Sequence, residues 1–351
     1  MKPIVITMGC PSGIGPEVAV AAAAKDPRGL VLIGDLATLQ ARASVVGVSL
    51  DRLVEVQGLN DARKLPRGRI AVVQSCEPLG KDDYKQGKPT KRTGVAQLEF
   101  IDRALALVLE GEASAMVTGP VNKEVIVNSG LVRARRFRGH TEYLQERSGS
   151  PPVTMAFWSQ KLTTSLVTTH VPLSKVSRAI TAEGVRRATV HVTELMLRLG
   201  IAAPKVAVAG LNPHAGEGGI LGDEETRLIG PGIARARAHF KHNRGVTISG
   251  PVPAESAFRI AVSGGFDAVV AMYHDQATIP MKLVGFGDAV NVTLGLPIVR
   301  TSVDHGTGYD RAGKGTADAS GMRAAIALAK LLVPALTDSA SPKRKSVRTQ
   351  G

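Results

Sequence analysis

Three histidines stand at the ends of apolar, strand-like runs: His170 after SLVTT, His214 after KVAVAGLNP and His274 after DAVVAMY. Strand tips of an α/β sheet open into a common crevice, so imidazoles released there can meet and hold a divalent metal. For any one histidine alone, a local hydrogen bond is a sufficient explanation. The flanking residues favour ligation, because His214 lies in NPHAGEGG, where tight turns hold a side chain, and His274 lies in YHDQ, where Asp275 can orient its ring. Only Cys10 and Cys76 are present, far apart and outside any CxxC pair. Neither a disulfide framework nor a thiolate zinc site is supported, so the ligands must be histidine and carboxylate.

Donors for an anion surround these positions. FRGHTEYL sets His140 and Thr141 at a helix start with Glu142 in the first turn. Helix capping alone would select such residues, and the same N-terminus suits a phosphate. Lys282, Asn291 and Arg300 follow His274 at intervals of eight or nine residues across DAVNVTLGLP. As a set they read as a carboxylate or phosphate clamp, in which arginine supplies a fork and lysine a point charge. The glycine-rich run HGTGYDRAGKGTADAS (305–320) has the length and mixed donors for adenine and ribose recognition. GCPSGIGPE (9–17) follows a strand and opens a helix, but its spacing is not GxGxxG. A standard dinucleotide fingerprint is therefore not supported.

The elements that must carry these residues alternate between strand and helix, which predicts an α/β fold with a parallel sheet under helices. Strands are expected at IVITMG, LVLIG, RIAVVQS, ASAMVTG, SLVTTH, KVAVAG, VTISG and DAVVAMY, with 288–302 as one further buried strand kinked at glycine. Helices are expected from Pro16, over 94–111, 182–199, 224–240 and 255–263, and over 321–336 at the end. The polar stretch 81–94 reads as an exposed connection.

At 351 residues, 44% of them hydrophobic, the chain is long enough for two domains with cores. The formal charge of +14 invites a nucleic-acid partner, yet only 3% of residues are aromatic and the charge is dispersed, which argues against one. Arg133, Arg135, Arg136 and Arg138 form a cluster suited to drawing in an anionic substrate. Part of the excess lies in 341–351, SPKRKSVRTQG, expected to be a disordered tail. No leader and no membrane-length apolar run is visible, so the expected location is the cytoplasm, with no membrane partner.

Over nearly all of residues 3–335 the sequence resembles the 4-hydroxythreonine-4-phosphate dehydrogenase family, in GIGPE, TGPVNK, GHTE, TTHVPL, NPHAGEGG, MYHDQ, NVTLGLP and RTSVDHGT. The resemblance implies a homodimer with shared active sites and two α/β/α domains of isocitrate and isopropylmalate dehydrogenase type. The first domain would comprise 1–138 and 285–340, the second 139–284. It implies His170, His214 and His274, drawn from both subunits, as ligands of zinc, magnesium or cobalt. It implies substrate contacts from His140, Thr141, Lys282, Asn291 and Arg300, with Asp275 and Lys282 as the catalytic groups. NAD or NADP would lie against His305, Gly306, Thr307, Asp310, Gly313 and Asp318, as in isopropylmalate dehydrogenase.

The implied reaction is oxidation of 4-phosphohydroxy-L-threonine. Related members act on 4-phospho-D-threonate, 4-phospho-D-erythronate or a non-phosphorylated dihydrodiol. A three-histidine zinc hydrolase and a binding module for acidic ligands are the alternatives from other classes; the first leaves the DHGT loop unexplained, the second the histidines. The chain departs from the family pattern at Cys10, where an acidic residue is usual, at Ser12, where alanine is usual, and at Glu255, in PAES where PAD is usual.

Overall fold

The computed structural model describes residues 2–285 and 287–339; the tail 341–351 lies outside the described residues. Among the described residues twelve strands form one sheet: β1 Ile4–Thr7, β2 Leu30–Gly34, β3 Leu53–Glu55, β4 Ile70–Gln74, β5 Ala115–Thr118, β6 Thr154–Trp158, β7 Thr163–Leu166, β8 Lys205–Ala209, β9 Thr247–Val252, β10 Ala268–Ala271, β11 Val290–Leu294 and β12 Arg300–Val303. Their order is β3-β4-β2-β1-β5-β12-β11-β6-β7-β10-β8-β9. Strands such as IVIT and LVLIG are buried throughout, as expected where helices cover both faces of a parallel sheet.

The sheet is mixed, not wholly parallel. The stretch 288–302 is a hairpin and not one kinked strand: β11 runs antiparallel to β12, with a reversal at Gly295, whose φ is +89°. Glycine adopts that value without a Cβ clash, and Pro297 cannot donate to a ladder. Two further antiparallel pairs, β11 with β6 and β6 with β7, complete the centre. Hydrogen bonding thus runs unbroken between the strands on either side of the expected domain boundaries.

Two further differences have local causes. The expected helix over 224–240 is a single wider turn, Glu225–Ile229, leading into the helix Gly230–His239. The connection 81–94 is not simply exposed: Asp83 is buried and accepts from Gly80 N, Thr90 Oγ1 and Arg92 Nη1. The core forms a large cluster under most of the sheet and a smaller one of Met155, Phe157, Leu166, Phe258 and Met281 beneath the helices Ala254–Val262 and His274–Val284.

Candidate active site

Strands β7, β10 and β8 are parallel neighbours, so their C-terminal tips open on one edge, and each of the three histidines follows one of them. Thr168 fastens two tips together by donating from N and Oγ1 to Met272 O, at 3.2 and 2.7 Å. His170 and His274 then lie with ring centroids 5.7 Å apart. They share a cavity of about 370 Å³ with Thr169, Tyr273 and Asp275. His274 Nδ1 is 2.7 Å from Asp275 Oδ1, which occupies that nitrogen and leaves Nε2 for a ligand.

His214 stands apart from this pair. Among the described residues of the single chain, no three His, Cys, Asp or Glu side chains gather to hold a metal ion. His214 begins a run of six residues, 214–219, with φ between +43° and +103°, of which His214, Ala215 and Glu217 are not glycine. A left-handed conformation costs such residues roughly 1–2 kcal/mol each. Buried Glu225, which the sequence reading missed, steadies the base of this turn: its Oε1 accepts from Leu211 N and Asn212 N, both at 2.8 Å. The Glu255 carboxyl is lowered first by Ser256 and further by the charge of His214.

Arg300 opens β12 with only 3% of its surface exposed. Its Nε and Nη2 donate to Thr118 Oγ1, at 3.2 and 2.8 Å, and its Nη1 donates to Asn291 Oδ1 at 3.2 Å and Thr293 Oγ1 at 2.9 Å. All three acceptors are neutral. Burial pushes the guanidinium pKa down to about 10, and Glu142 offsets part of that. Beside it, His140 opens the helix His140–Ser148, whose first turn has no side-chain cap. His140 Nε2 is buried without a hydrogen-bond partner, and burial, then the Arg300 charge, holds the ring neutral well below its usual pKa. Thr141 is buried next to it. A buried cation that, among the described residues, has no carboxylate within ion-pair distance, an unpartnered imidazole nitrogen and free helix N–H groups make a site suited to an anion.

Lys282 lies near the end of the helix His274–Val284, whose Pro280 hid it from periodicity. It does not join Asn291 and Arg300 directly but lines a second cavity, of about 480 Å³, with Ile14, Asp304, His305, Gly306, Arg311 and Asp318. Burial raises the Asp304 carboxyl, while Lys282, His274 and His305 lower it, so these four groups share one field. Asp304 was not singled out from the sequence; its place directly after β12 and before His305 was the available signal. His305 Nδ1 lies 3.0 Å from Gly306 O, and its Nε2 is buried without a partner.

Of the six residues expected to receive the cofactor, His305, Gly306 and Asp318 line this cavity. Thr307 and Gly313 face inward: Thr307 O accepts from Ile14 N at 2.9 Å, and Gly313 N donates to Glu17 Oε1. Asp310 is exposed, with Arg311 at 4.0 Å. Asp318 also accepts from Ser320 N, at 2.8 Å, at the start of the last helix. Cys10 Sγ lies 3.4 Å from the Tyr309 hydroxyl and burial pushes its thiol up, so it brings no negative charge to the position where the family pattern has one.

Residues 26–329 match the family described as pyridoxal phosphate biosynthetic protein PdxA. The chain belongs to that family. A relative in Geobacter metallireducens, named 4-hydroxythreonine-4-phosphate dehydrogenase, is 43% identical over 332 residues, which span 93% of this chain and 94% of the relative. A Salmonella typhimurium relative named D-threonate 4-phosphate dehydrogenase is 40% identical and covers 94% of this chain and 99% of itself. The crystal structure of 4-hydroxythreonine-4-phosphate dehydrogenase from Klebsiella pneumoniae, 35% identical, matches with a TM-score of 0.82 over 95% of this chain and 100% of that one. PdxA membership makes this chain a member of a dehydrogenase family with an α/β fold, as the sequence resemblance implies.

Proposed function

We propose that the chain oxidises 4-phosphohydroxy-L-threonine with NAD or NADP to 2-amino-3-oxo-4-(phosphooxy)butanoate, a β-keto acid that loses carbon dioxide to give 3-amino-2-oxopropyl phosphate, in pyridoxal 5′-phosphate biosynthesis. The observation that carries this reading is the buried Arg300 guanidinium, held by neutral oxygens alone beside the unpartnered His140 Nε2. His140, Thr141, Asn291 and Arg300 take the anionic end of the substrate, and Lys282 approaches its reacting end from the adjoining cavity. The dehydrogenase names of the relatives speak against a hydrolase.

His170 and His274 fit a divalent cation such as zinc, magnesium or cobalt, because both are nitrogen donors and Asp275 leaves His274 Nε2 free. Their third partner is His214 of the partner subunit, in a cytoplasmic homodimer with shared sites. When bound, the cation acidifies the substrate hydroxyl. His305, Gly306 and Asp318 would hold the nicotinamide dinucleotide, which would supply the hydride acceptor. Asp275 keeps the proton of His274 Nδ1 in place, and the Lys282 ammonium, in the field of Asp304, is positioned to exchange a proton with the substrate. No helix among the described residues is long and apolar enough to cross a membrane.

The D-threonate 4-phosphate relative gives one specific competing substrate. Following NADH at fixed metal with 4-phosphohydroxy-L-threonine, free 4-hydroxy-L-threonine and 4-phospho-D-threonate separates the readings. Preference for the phosphorylated threonine is expected. Equal turnover of its free form would remove the phosphate clamp, and preference for the threonate would assign the chain to the other substrate.

A further inference from the structure

The loop 305–318 meets the 480 Å³ cavity on one side; a buried carboxylate holds the other. Glu17 lies in the first turn of the helix Gly15–Lys25 and is 0% exposed. Its Oε1 accepts from Gly313 N, and its Oε2 is buried with no hydrogen-bond partner. Behind it is Arg42, 2% exposed, in the helix Leu36–Val45. Burial lowers the pKa of Arg42 and the Glu17 charge partly restores it, so the two buried groups feel one another's charge without a direct ion pair. Arg42 Nη2 donates to Tyr84 O at 2.7 Å, and its Nε has no partner.

Each charge thus grips the backbone of a different loop, and the two loops meet. A Cβ on Gly313 would come within 2.4 Å of the Gln86 side chain, and one on Gly315 within 2.7 Å of Val45 O, on the helix that carries Arg42. Gly87 N donates to Ser12 O at 2.9 Å, while Tyr309 O lies 3.4 Å from where a Cβ on Gly87 would sit. Gly313 has φ +76°, so its N–H is aimed at Glu17 by a backbone conformation that glycine reaches freely. Burying a carboxylate costs several kcal/mol unless it is paired, far more than a helix start needs for capping. The residue type at 17 is therefore explained by what it holds.

We infer that Glu17 is a positioning residue: its carboxylate, backed by Arg42, fixes the turn at Gly313 and so presets the edge of the loop 305–318 against which a nicotinamide dinucleotide binds. The inference rests on the cofactor reading of that loop given above. A loop held in its bound shape spares the ligand the cost of ordering it, so loosening the loop raises the cofactor KM and leaves kcat at saturation nearly unchanged.

The test uses the full-length protein and the variants Glu17→Ala and Glu17→Gln, each checked by thermal melting. A charge-assisted hydrogen bond is lost in the first, so its Kd and KM for NAD or NADP are expected to rise roughly ten- to a hundredfold. Glutamine keeps the shape and a neutral acceptor, and about a three- to tenfold rise is expected there. Substrate KM and bound metal should not move, and amide exchange should quicken over 308–316. Unchanged exchange at 308–316 in both folded variants would overturn the brace, and should alanine prevent folding the glutamine variant decides alone. Faster exchange with unchanged affinity for both NAD and NADP would overturn the cofactor role of the loop while leaving the brace, which keeps the two failures apart.

Discussion

Arg300 is joined to Thr118 twice, through Nε at 3.2 Å and Nη2 at 2.8 Å, and the single hydroxyl oxygen of Thr118 accepts both. A hydroxyl has two lone pairs, so this one spends its whole accepting capacity on one guanidinium. Thr118 ends β5 and Arg300 begins the neighbouring β12, whose register pairs Arg300 with Met116 and Ser302 with Thr118. Replacing Thr118 by Val keeps the shape and removes the one oxygen that accepts both bonds. Loss of about 1–3 kcal/mol of unfolding free energy is expected in urea denaturation, together with a lower kcat/KM, and Thr118→Ser should recover most of both. Wild-type stability in the valine variant would show that the two contacts contribute nothing.

Arg300→Ala is expected to lower kcat/KM for the phosphorylated substrate roughly ten- to a hundredfold, the effect of about 1.5–3 kcal/mol of charge-assisted contact. Lysine should restore only part, because a point charge cannot reach Thr118, Asn291 and Thr293 together as a fork does. Full rescue by lysine would reduce the role of Arg300 to its charge.

The separation of His214 from the His170 and His274 pair makes a mixing experiment decisive. His170→Ala and His214→Ala should each lose bound metal and turnover while staying folded. If the site is shared, a mixed dimer of the two variants holds one site with all three histidines, and turnover and bound metal return in part. Absence of any return after subunit exchange would place all ligands of a site in one chain or remove His214 from the set. His242, exposed in the turn that precedes β9, serves as the control whose loss changes neither readout.

Stability should fall on the acid side through two histidines. Burial and then nearby arginines hold His191 down at about 4, and burial and Arg300 hold His140 well below its usual value. Both have a folded pKa below the unfolded value near 6.5, so the unfolded chain binds more protons in the interval between and stability rises with pH there. Tm should therefore drop from pH 6.5 towards 4, and His191→Gln should flatten that part of the curve. A glutamine variant with the wild-type slope would take His191 out of the account.

The parallel strands were legible because continuous apolar runs alternate with helical periods, and Arg300 because an arginine standing next to such a run needs a reason. The hairpin was not, since β11 and β12 form one apolar stretch in which only Gly295 and Pro297 mark the reversal. The helix His274–Val284 was hidden by its polar start and its internal Pro280. Glu17 and Glu225 share a different obscurity: each is a buried carboxylate that accepts from backbone amides 13 to 296 residues away, and no local pattern records such partners. Half-buried Asp304 likewise feels Lys282 and His274, which the chain brings back from the preceding helix. The glycine-rich loop 305–318 was visible in the sequence as a unit, but which of its residues face the cavity depends on how Ile14 and Glu17 fasten it.

Strand β12 carries Arg300 at its first position, and Asp304 follows its last residue, Val303. At about 3.3 Å per residue, four residues of extended backbone hold the Cα atoms of Arg300 and Asp304 roughly 13 Å apart. Both neighbours of β12, β5 and β11, lock its register, so this spacing cannot adapt to its ligand. The strand is a gauge between two compartments. A one-residue deletion within it would shorten the interval by about 3.3 Å and also turn one of the two charged side chains to the opposite face, so evolution can retune what binds at either end far more easily than the distance between them.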